Sequence, residues 1–320
     1  MTATADAPGK PLPAAPGFVD PRVLLQIESL ELRARHVVDG FWSGLNRSPY
    51  HGFSVEFTEY REYTPGDDPR YLDWKLYARS DRYYVKRFED ETNLRCLLLL
   101  DASRSMEYGS TEVTKFDYAR TLAATFGYFL TTQRDAVGLA RFSREIDQYI
   151  PARYRAGHWR RLLVALEAPC TGTATELAPP LEQVAERLTK RGMLVLISDL
   201  LAPLAQVELS LGCLTARGQE VLVFQTLDPA EMTFDFDRPE LFEDLESGRK
   251  LYVDPATLRA EYRRRLNEHL AAVQGLCDQL GITYRRLTTD QPLGDALGDF
   301  LRSRLRSRDR RTTAGGRRRA

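Results

Sequence analysis

The sequence predicts an α/β protein: a doubly wound, mostly parallel sheet preceded by a small β-rich subdomain. Three observations carry this. From Leu94 onward, short apolar runs alternate with helical patterns, as expected of strands covered by helices on both faces. Between Gly40 and about Asn93 the composition shifts to Tyr, Phe, Trp, Arg, Asp and Glu with Gly and Pro punctuation, and short alternating segments there read as strands. The apolar run Leu97–Leu100 ends in Asp101-Ala-Ser103-Arg-Ser105-Met. That places one carboxylate and two hydroxyls where a buried strand ends, and ligands of open α/β sheets gather at the carboxyl ends of strands.

Taken in order, Met1–Gly17 is rich in Ala and Pro and has neither a basic start nor an apolar stretch, so it reads as a disordered arm and not as a signal peptide. Pro21 opens a helical pattern in which Val23, Leu24, Ile27, Leu30, Leu32 and Ala34 are spaced for one face. Ser54–Tyr60 and Arg82–Phe88 alternate as strands, and Pro65-Gly66-Asp67-Asp68-Pro69 is a turn. The helix and the β-rich stretch together make a piece spanning 18–93. The second domain, 94–305, begins with a strand over Leu94–Leu100 and a helix over Lys115–Thr132. A strand pair follows (Ala136–Phe142 and Ile146–Ile150), then helices over Trp159–Leu166 and Leu177–Leu188. Strand Met193–Ser198, helix Leu204–Ala216 and strand Glu220–Thr226 continue the alternation. Asp228–Asp254 interrupts it as an acidic, Phe-rich insertion. Helix Ala256–Leu280, strand Ile282–Leu287 and helix Leu293–Leu305 complete it, and 306–320 is a basic, disordered tail.

Formal net charge is zero over 320 residues, yet the charge is uneven. Nine Arg stand against one Asp from Arg302 to Ala320, leaving 36 basic and 44 acidic side chains on the rest. The Arg-rich end reads as a solvated tail, and a nucleic-acid or acidic-lipid contact is the competing reading. Cys96, Cys170, Cys213 and Cys277 show no paired spacing, which argues against a zinc site and for reduced thiols. The apolar runs Leu194–Ile197 and Val221–Phe224 are far shorter than the ~20 residues that span a bilayer. The expected location is cytoplasmic.

Two further loops should reach the strand end that carries Asp101, Ser103 and Ser105. One is Thr171-Gly-Thr173-Ala-Thr175-Glu-Leu, leading into a helix, and the other is Ser198-Asp199, ending an apolar strand. One threonine and Asp199 would bring the set to two carboxylates and three hydroxyls, an oxygen-only group suited to a hard divalent cation. Helix capping by Ser103 and Ser105 is the competing reading.

Strand–DxSxS–helix, a Thr loop and strand–Ser-Asp together resemble the von Willebrand factor A domain with its metal-ion-dependent adhesion site. The upstream run from Glu59 through Tyr63-Thr-Pro65-Gly66-Asp67-Asp68-Pro-Arg70 and Asp73-Trp74 to Arg79-Ser-Asp81 is more specific. It resembles the signature of the bacterial domain-of-unknown-function family 58, across about residues 40–305. The resemblance implies a von Willebrand A-like, Rossmann-like sheet. It also implies Mg²⁺ or Mn²⁺ bound through Ser103, Ser105 and Thr175, with Asp101 and Asp199 acting directly or through water. Thr175 is preferred to Thr171 and Thr173 because Thr-Glu-Leu-Ala-Pro-Pro-Leu fits the family's spacing. Asp67, Asp68, Arg70, Asp73, Arg79 and Asp81 read as a salt-bridge network joining the subdomain to the sheet, with a functional surface as the competing reading, and Tyr60, Tyr63, Trp74 and Tyr77 as core before ligand platform.

Three neutral hydroxyls leave most of a cation's charge unneutralised, so such a site suits capture of an external carboxylate. The functional expectation is a metal-dependent protein-binding module, not an enzyme, whose partner supplies an Asp or Glu. The resemblance implies a MoxR-class AAA ATPase as that partner, in chaperone-like assembly or maturation. The enzymatic alternative is an Mg²⁺-dependent hydrolase or phosphotransferase using Asp101. The haloacid dehalogenase type expects a second carboxylate two residues on, where this chain has Ser103. GxxxxGK[ST], GxSxG, HExxH and GxGxxG do not occur.

Overall fold

A computed structural model of the chain describes residues 20–47, 60–62, 77, 82–86, 94–170, 172, 176–188, 190–236, 238–245 and 248–301. The expected arm, the Pro65–Pro69 turn, nearly all of the Tyr63–Asp81 signature, Thr175 and the basic tail lie outside the described residues. The described residues form two compact units, one holding 20–44 and 94–301, the other lying within 45–93.

The larger unit opens with helices α1 (Pro21–Leu25) and α2 (Leu30–Arg47). The single helical face expected from Val23 to Ala34 is broken over Gln26–Ser29, where the Ser29 hydroxyl accepts from Leu32 N at 3.3 Å and starts the second helix. Leu24, Leu30, Ala34, Val37 and Val38 are buried in the core of this unit, while Val23 and Leu32 face solvent. The N-terminal helices thus belong with the α/β unit up to Gly44, not with the β-rich segment as expected for 18–93. In the smaller unit, β1 (Tyr60–Glu62) and β2 (Tyr84–Lys86) pair antiparallel. The rings of Tyr77 and Tyr83 stack there with centroids 4.5 Å apart.

The main sheet begins with β3 (Arg95–Asp101), a 3₁₀ turn (Arg104–Glu107) and α3 (Lys115–Thr132). It continues through β4 (Ala136–Phe142), β5 (Ile146–Arg153), α4 (His158–Glu167), α5 (Ala178–Arg187) and β6 (Met193–Ser198). Next come α6 (Leu204–Ala216), β7 (Glu220–Leu227), the short α7 (Pro229–Thr233) and the hairpin β8 (Glu240–Glu243) with β9 (Lys250–Val253). The chain then runs through α8 (Pro255–Leu280), β10 (Thr283–Thr288) and a last helix α9 over 293–301. Strand order is β10-β7-β6-β3-β4-β5, parallel throughout except for the edge strand β5.

The six residues Cys96–Asp101 are all buried, because helices cover both faces of the sheet. Side chains alternate across a strand. Cys96, Leu98 and Leu100 therefore join the core under α1, α2, α3, α4 and α9, while Leu97 and Leu99 join the one under α5, α6 and α8. On the first face Phe126 packs between Phe224 and Phe300 at centroid distances of 5.1 and 4.8 Å. After β3 the chain moves outward through β4 and β5, then returns to place β6 on the other side of β3. The carboxyl ends of β3 and β6 are thus neighbours at the point where strand order reverses, the position at which open α/β sheets bind ligands.

Candidate functional site

Asp101 is the last residue of β3 and has no exposed surface. Its Oδ1 accepts from Ser103 N at 2.9 Å, and its Oδ2 accepts from the Ser198 hydroxyl, at the end of β6, at 2.6 Å. Ser103 stands at the N-cap of the 3₁₀ turn, but its side chain makes no capping hydrogen bond. Its Oγ instead lies 3.0 Å from the Oγ of Ser105. The following helix is capped by Thr114, whose Oγ1 accepts from Asp117 N at 3.0 Å. Neither serine is thus needed to cap α3.

Asp199 follows β6 directly and is 1% exposed. Its backbone carbonyl accepts from Gln225 Nε2 at 2.6 Å, and its Oδ1 accepts from Leu201 N at 3.3 Å. Leu200, next in the chain, has φ +51°, a left-handed conformation unusual for leucine. The Ser198 hydroxyl accepts from Leu200 N at 3.1 Å and the Leu200 carbonyl lies 2.8 Å from His269 Nε2, so the turn that aims Asp199 is held from both sides.

Asp199 Oδ2 accepts from Lys115 Nζ at 2.9 Å, and the same ammonium donates to Glu231 Oε1 at 2.7 Å. Burial opposes the charge on Lys115, yet Asp199 and Glu231 outweigh that cost and hold its pKa above the ordinary lysine value. The Asp101 carboxyl is raised to about 7, by burial first and by the Asp199 charge second, against the hydrogen bonds from Ser198 and Ser103. Two carboxylates close together in a buried site create a demand for positive charge. A cavity of about 420 Å³ opens beside them, lined in part by Ser105, Tyr108, Lys115, Asp199, Leu201 and Glu231.

Thr171, Thr173 and Thr175 lie outside the described residues. Gly172, within the same loop, is described and lies hard against the Asp101–Ser105 segment. A Cβ at Gly172 would meet the Ala102 carbonyl at 2.9 Å and would also strike the Ser143 side chain. The approach to this loop is fixed by Arg141 of β4, which is 1% exposed. Its guanidinium donates to the carbonyls of Ala165, Ala168 and Pro169 at 2.7, 2.9 and 2.8 Å and pairs with Asp147 at 3.1 Å.

The donors present are those a hard divalent ion takes: two adjacent hydroxyls and a buried carboxylate, with a second carboxylate shared with a lysine. Among the described residues no group of three or more His, Cys, Asp or Glu is arranged to hold a metal ion. Any ion at this centre therefore depends on the hydroxyls. Sequence reasoning missed Lys115 and Glu231. The available signal was the placement of a lysine at the first position of a helix, where positive charge opposes the macrodipole and calls for carboxylate partners. Glu231 was hidden in the 228–254 insertion, whose phenylalanines form their own cluster. Phe234 stacks on Tyr262 of α8 at 4.3 Å and on Phe242 of β8 at 5.7 Å.

The family described as "Protein of unknown function DUF58" matches residues 59–272. The chain belongs to this family. Among curated proteins it is similar to the uncharacterised protein Rv1480 of Mycobacterium tuberculosis, 30% identical over 302 residues, covering 92% of this chain and 93% of the relative. The uncharacterised protein Mb1516 of Mycobacterium bovis is similar to the same extent. Among solved structures the DUF58 chain is similar to the conserved hypothetical protein BatB from Bacteroides thetaiotaomicron, at 14% identity and TM-score 0.44 over 66% of this chain and 99% of that one. It is also similar to the SpRpn10 VWA domain, at 11% identity and TM-score 0.39 over 64% of this chain and 94% of that one. Among the described residues no helix is long and apolar enough to cross a membrane.

Proposed function

We propose that this DUF58 protein is a protein-binding module whose grip depends on Mg²⁺ or Mn²⁺ held by Asp101, Ser103, Ser105, Thr175 and Asp199. The observation that carries the reading is the pair of hydroxyls on Ser103 and Ser105, 3.0 Å apart beside buried Asp101 at the switch point of the sheet. When bound, the ion would supply a Lewis-acidic position for a carboxylate oxygen from outside the chain. Ser103 and Ser105 are neutral donors and leave that attraction largely unquenched, while Asp101 fixes the loop by accepting from Ser103 N. The partner supplies an Asp or Glu. The family resemblance points to a MoxR-class AAA ATPase, making the chain an adaptor or co-chaperone in assembly or maturation of protein complexes, and a cytoplasmic location goes with that role. Nucleic acid has no part in this reading.

Two measurements test it. Calorimetry should give Mg²⁺ binding to the wild type and none to Asp101→Ala, and equal affinities overturn the site. Pull-down of the ATPase should succeed in Mg²⁺ and fail in EDTA. Retention in EDTA would leave a binding module with a vestigial centre.

Phosphoryl transfer through Asp101 is the second reading, and the surroundings of Asp101 weigh against it. Both carboxylate oxygens accept hydrogen bonds and Asp101 is fully buried, which obstructs in-line attack on a phosphorus atom, whereas contact with an ion can run through water. Phosphate-ester turnover that stops in Asp101→Asn would restore it.

A further inference from the structure

Lys115 is a buried cation placed where the helix macrodipole disfavours one. Its partners are two carboxylates, Asp199 and Glu231, so one negative charge remains in excess around it. The two partners are held differently. Glu231 belongs to the capping box of α7, where its Oε2 accepts from Asp228 N at 2.8 Å. Asp228 accepts in turn from Ala230 N and, across to the loop after Ser105, from Ser110 N at 2.9 Å. Glu231 is therefore fixed whether or not the lysine is present. Lys115 already holds Asp199 Oδ2 at 2.9 Å, so a divalent ion drawn to that carboxylate meets a like charge beside it.

We propose that Lys115 is a competing internal cation at this centre: a divalent ion that takes Asp199 displaces the lysine ammonium, which stays paired with Glu231. The inference rests on the divalent-ion reading above. It makes Lys115 the residue that limits how tightly the ion is held, and Glu231 the residue that receives the lysine. The exchange leaves no charge stranded. Before it, one ammonium is shared by two carboxylates; after it, each carboxylate has its own cation.

The test titrates MgCl₂ into the full chain and into Lys115→Met and Glu231→Gln by calorimetry. Lys115→Met should bind Mg²⁺ about tenfold more tightly or better, because the competing charge is gone. Glu231→Gln leaves the lysine with Asp199 alone and should bind more weakly. Because Lys115→Met buries two carboxylates without a cation, thermal melting accompanies the titration. Its Tm in EDTA should fall below that of the wild type, and its rise on adding Mg²⁺ should be larger. Charge deletion also acts through space, so a crystal structure of the wild type with Mn²⁺ provides the direct measure. The Lys115 ammonium is expected on Glu231 and away from Asp199. Equal or weaker binding by Lys115→Met, or the 2.9 Å contact persisting beside bound Mn²⁺, overturns the proposal and leaves the metal reading standing. Absence of binding by all three proteins removes both.

Discussion

The Ser198 hydroxyl donates to Asp101 Oδ2 at 2.6 Å, joining the ends of β6 and β3 at the reversal of strand order. The bond holds a buried carboxylate that burial and Asp199 both push toward its neutral form. Much of the centre's expected behaviour follows from that tension.

The Asp101 carboxyl is raised to about 7 from its ordinary 3.8. Between about pH 4 and 7 the folded protein therefore keeps a proton that the unfolded chain has released, so this group's contribution to stability is full below that window and lost as pH rises through it. Metal-free wild type should lose stability from this source between about pH 4 and 7, and Asp101→Asn, neutral at every pH, should not. The variant is accordingly expected to melt higher than wild type in EDTA at pH 7.5. Parallel Tm-against-pH curves for the two proteins would refute the assignment. The same proton must leave when a divalent ion binds, so Mg²⁺ affinity should climb with pH up to about 7 and level off above it.

Gly172 tests whether the threonine loop serves the same centre. A methyl group there would meet the Ala102 carbonyl at 2.9 Å, and that backbone cannot yield without moving Asp101 or Ser103. Gly172→Ala should leave far-ultraviolet circular dichroism unchanged and weaken Mg²⁺ binding by about tenfold or more, since ligand placement tolerates little displacement. Unchanged affinity would separate the loop from the site.

Arg141→Met removes donors from three carbonyls and leaves Asp147 without its partner. Stranding buried acceptors costs about 1–3 kcal/mol each where water cannot replace the bond, so a loss of about 3 kcal/mol is expected. Urea unfolding measures it, and a loss below about 1 kcal/mol would show that solvent replaces these bonds.

Most of the sheet was legible from local pattern. Lys115–Thr132, Ala136–Phe142, Met193–Ser198 and Leu204–Ala216 carry the same bounds in sequence and structure. Their limits are set by short-range chemistry: the Thr114 cap, the apolar runs of doubly covered strands, and Pro203 before α6. The break between α1 and α2 was less legible, because Leu24 and Leu30 keep one face apolar across it. The antiparallel pairing of β5 at the sheet edge follows from its three-residue link to β4, too short for a parallel crossover.

For the centre, the chain by itself determined the cluster Asp101, Ser103, Ser105, because those side chains are separated by one residue each and any strand end would present them together. The approach of Asp199 to that strand end was expected from the alternation of strands and helices, and only the tertiary structure decided that Lys115 donates to both Asp199 and Glu231, the latter 116 residues away, at 2.9 and 2.7 Å. Spacing along the chain fixes what neighbours can do. Which distant charges meet is settled by how the buried sheet is wound, where a lysine removed from water has to find its carboxylates.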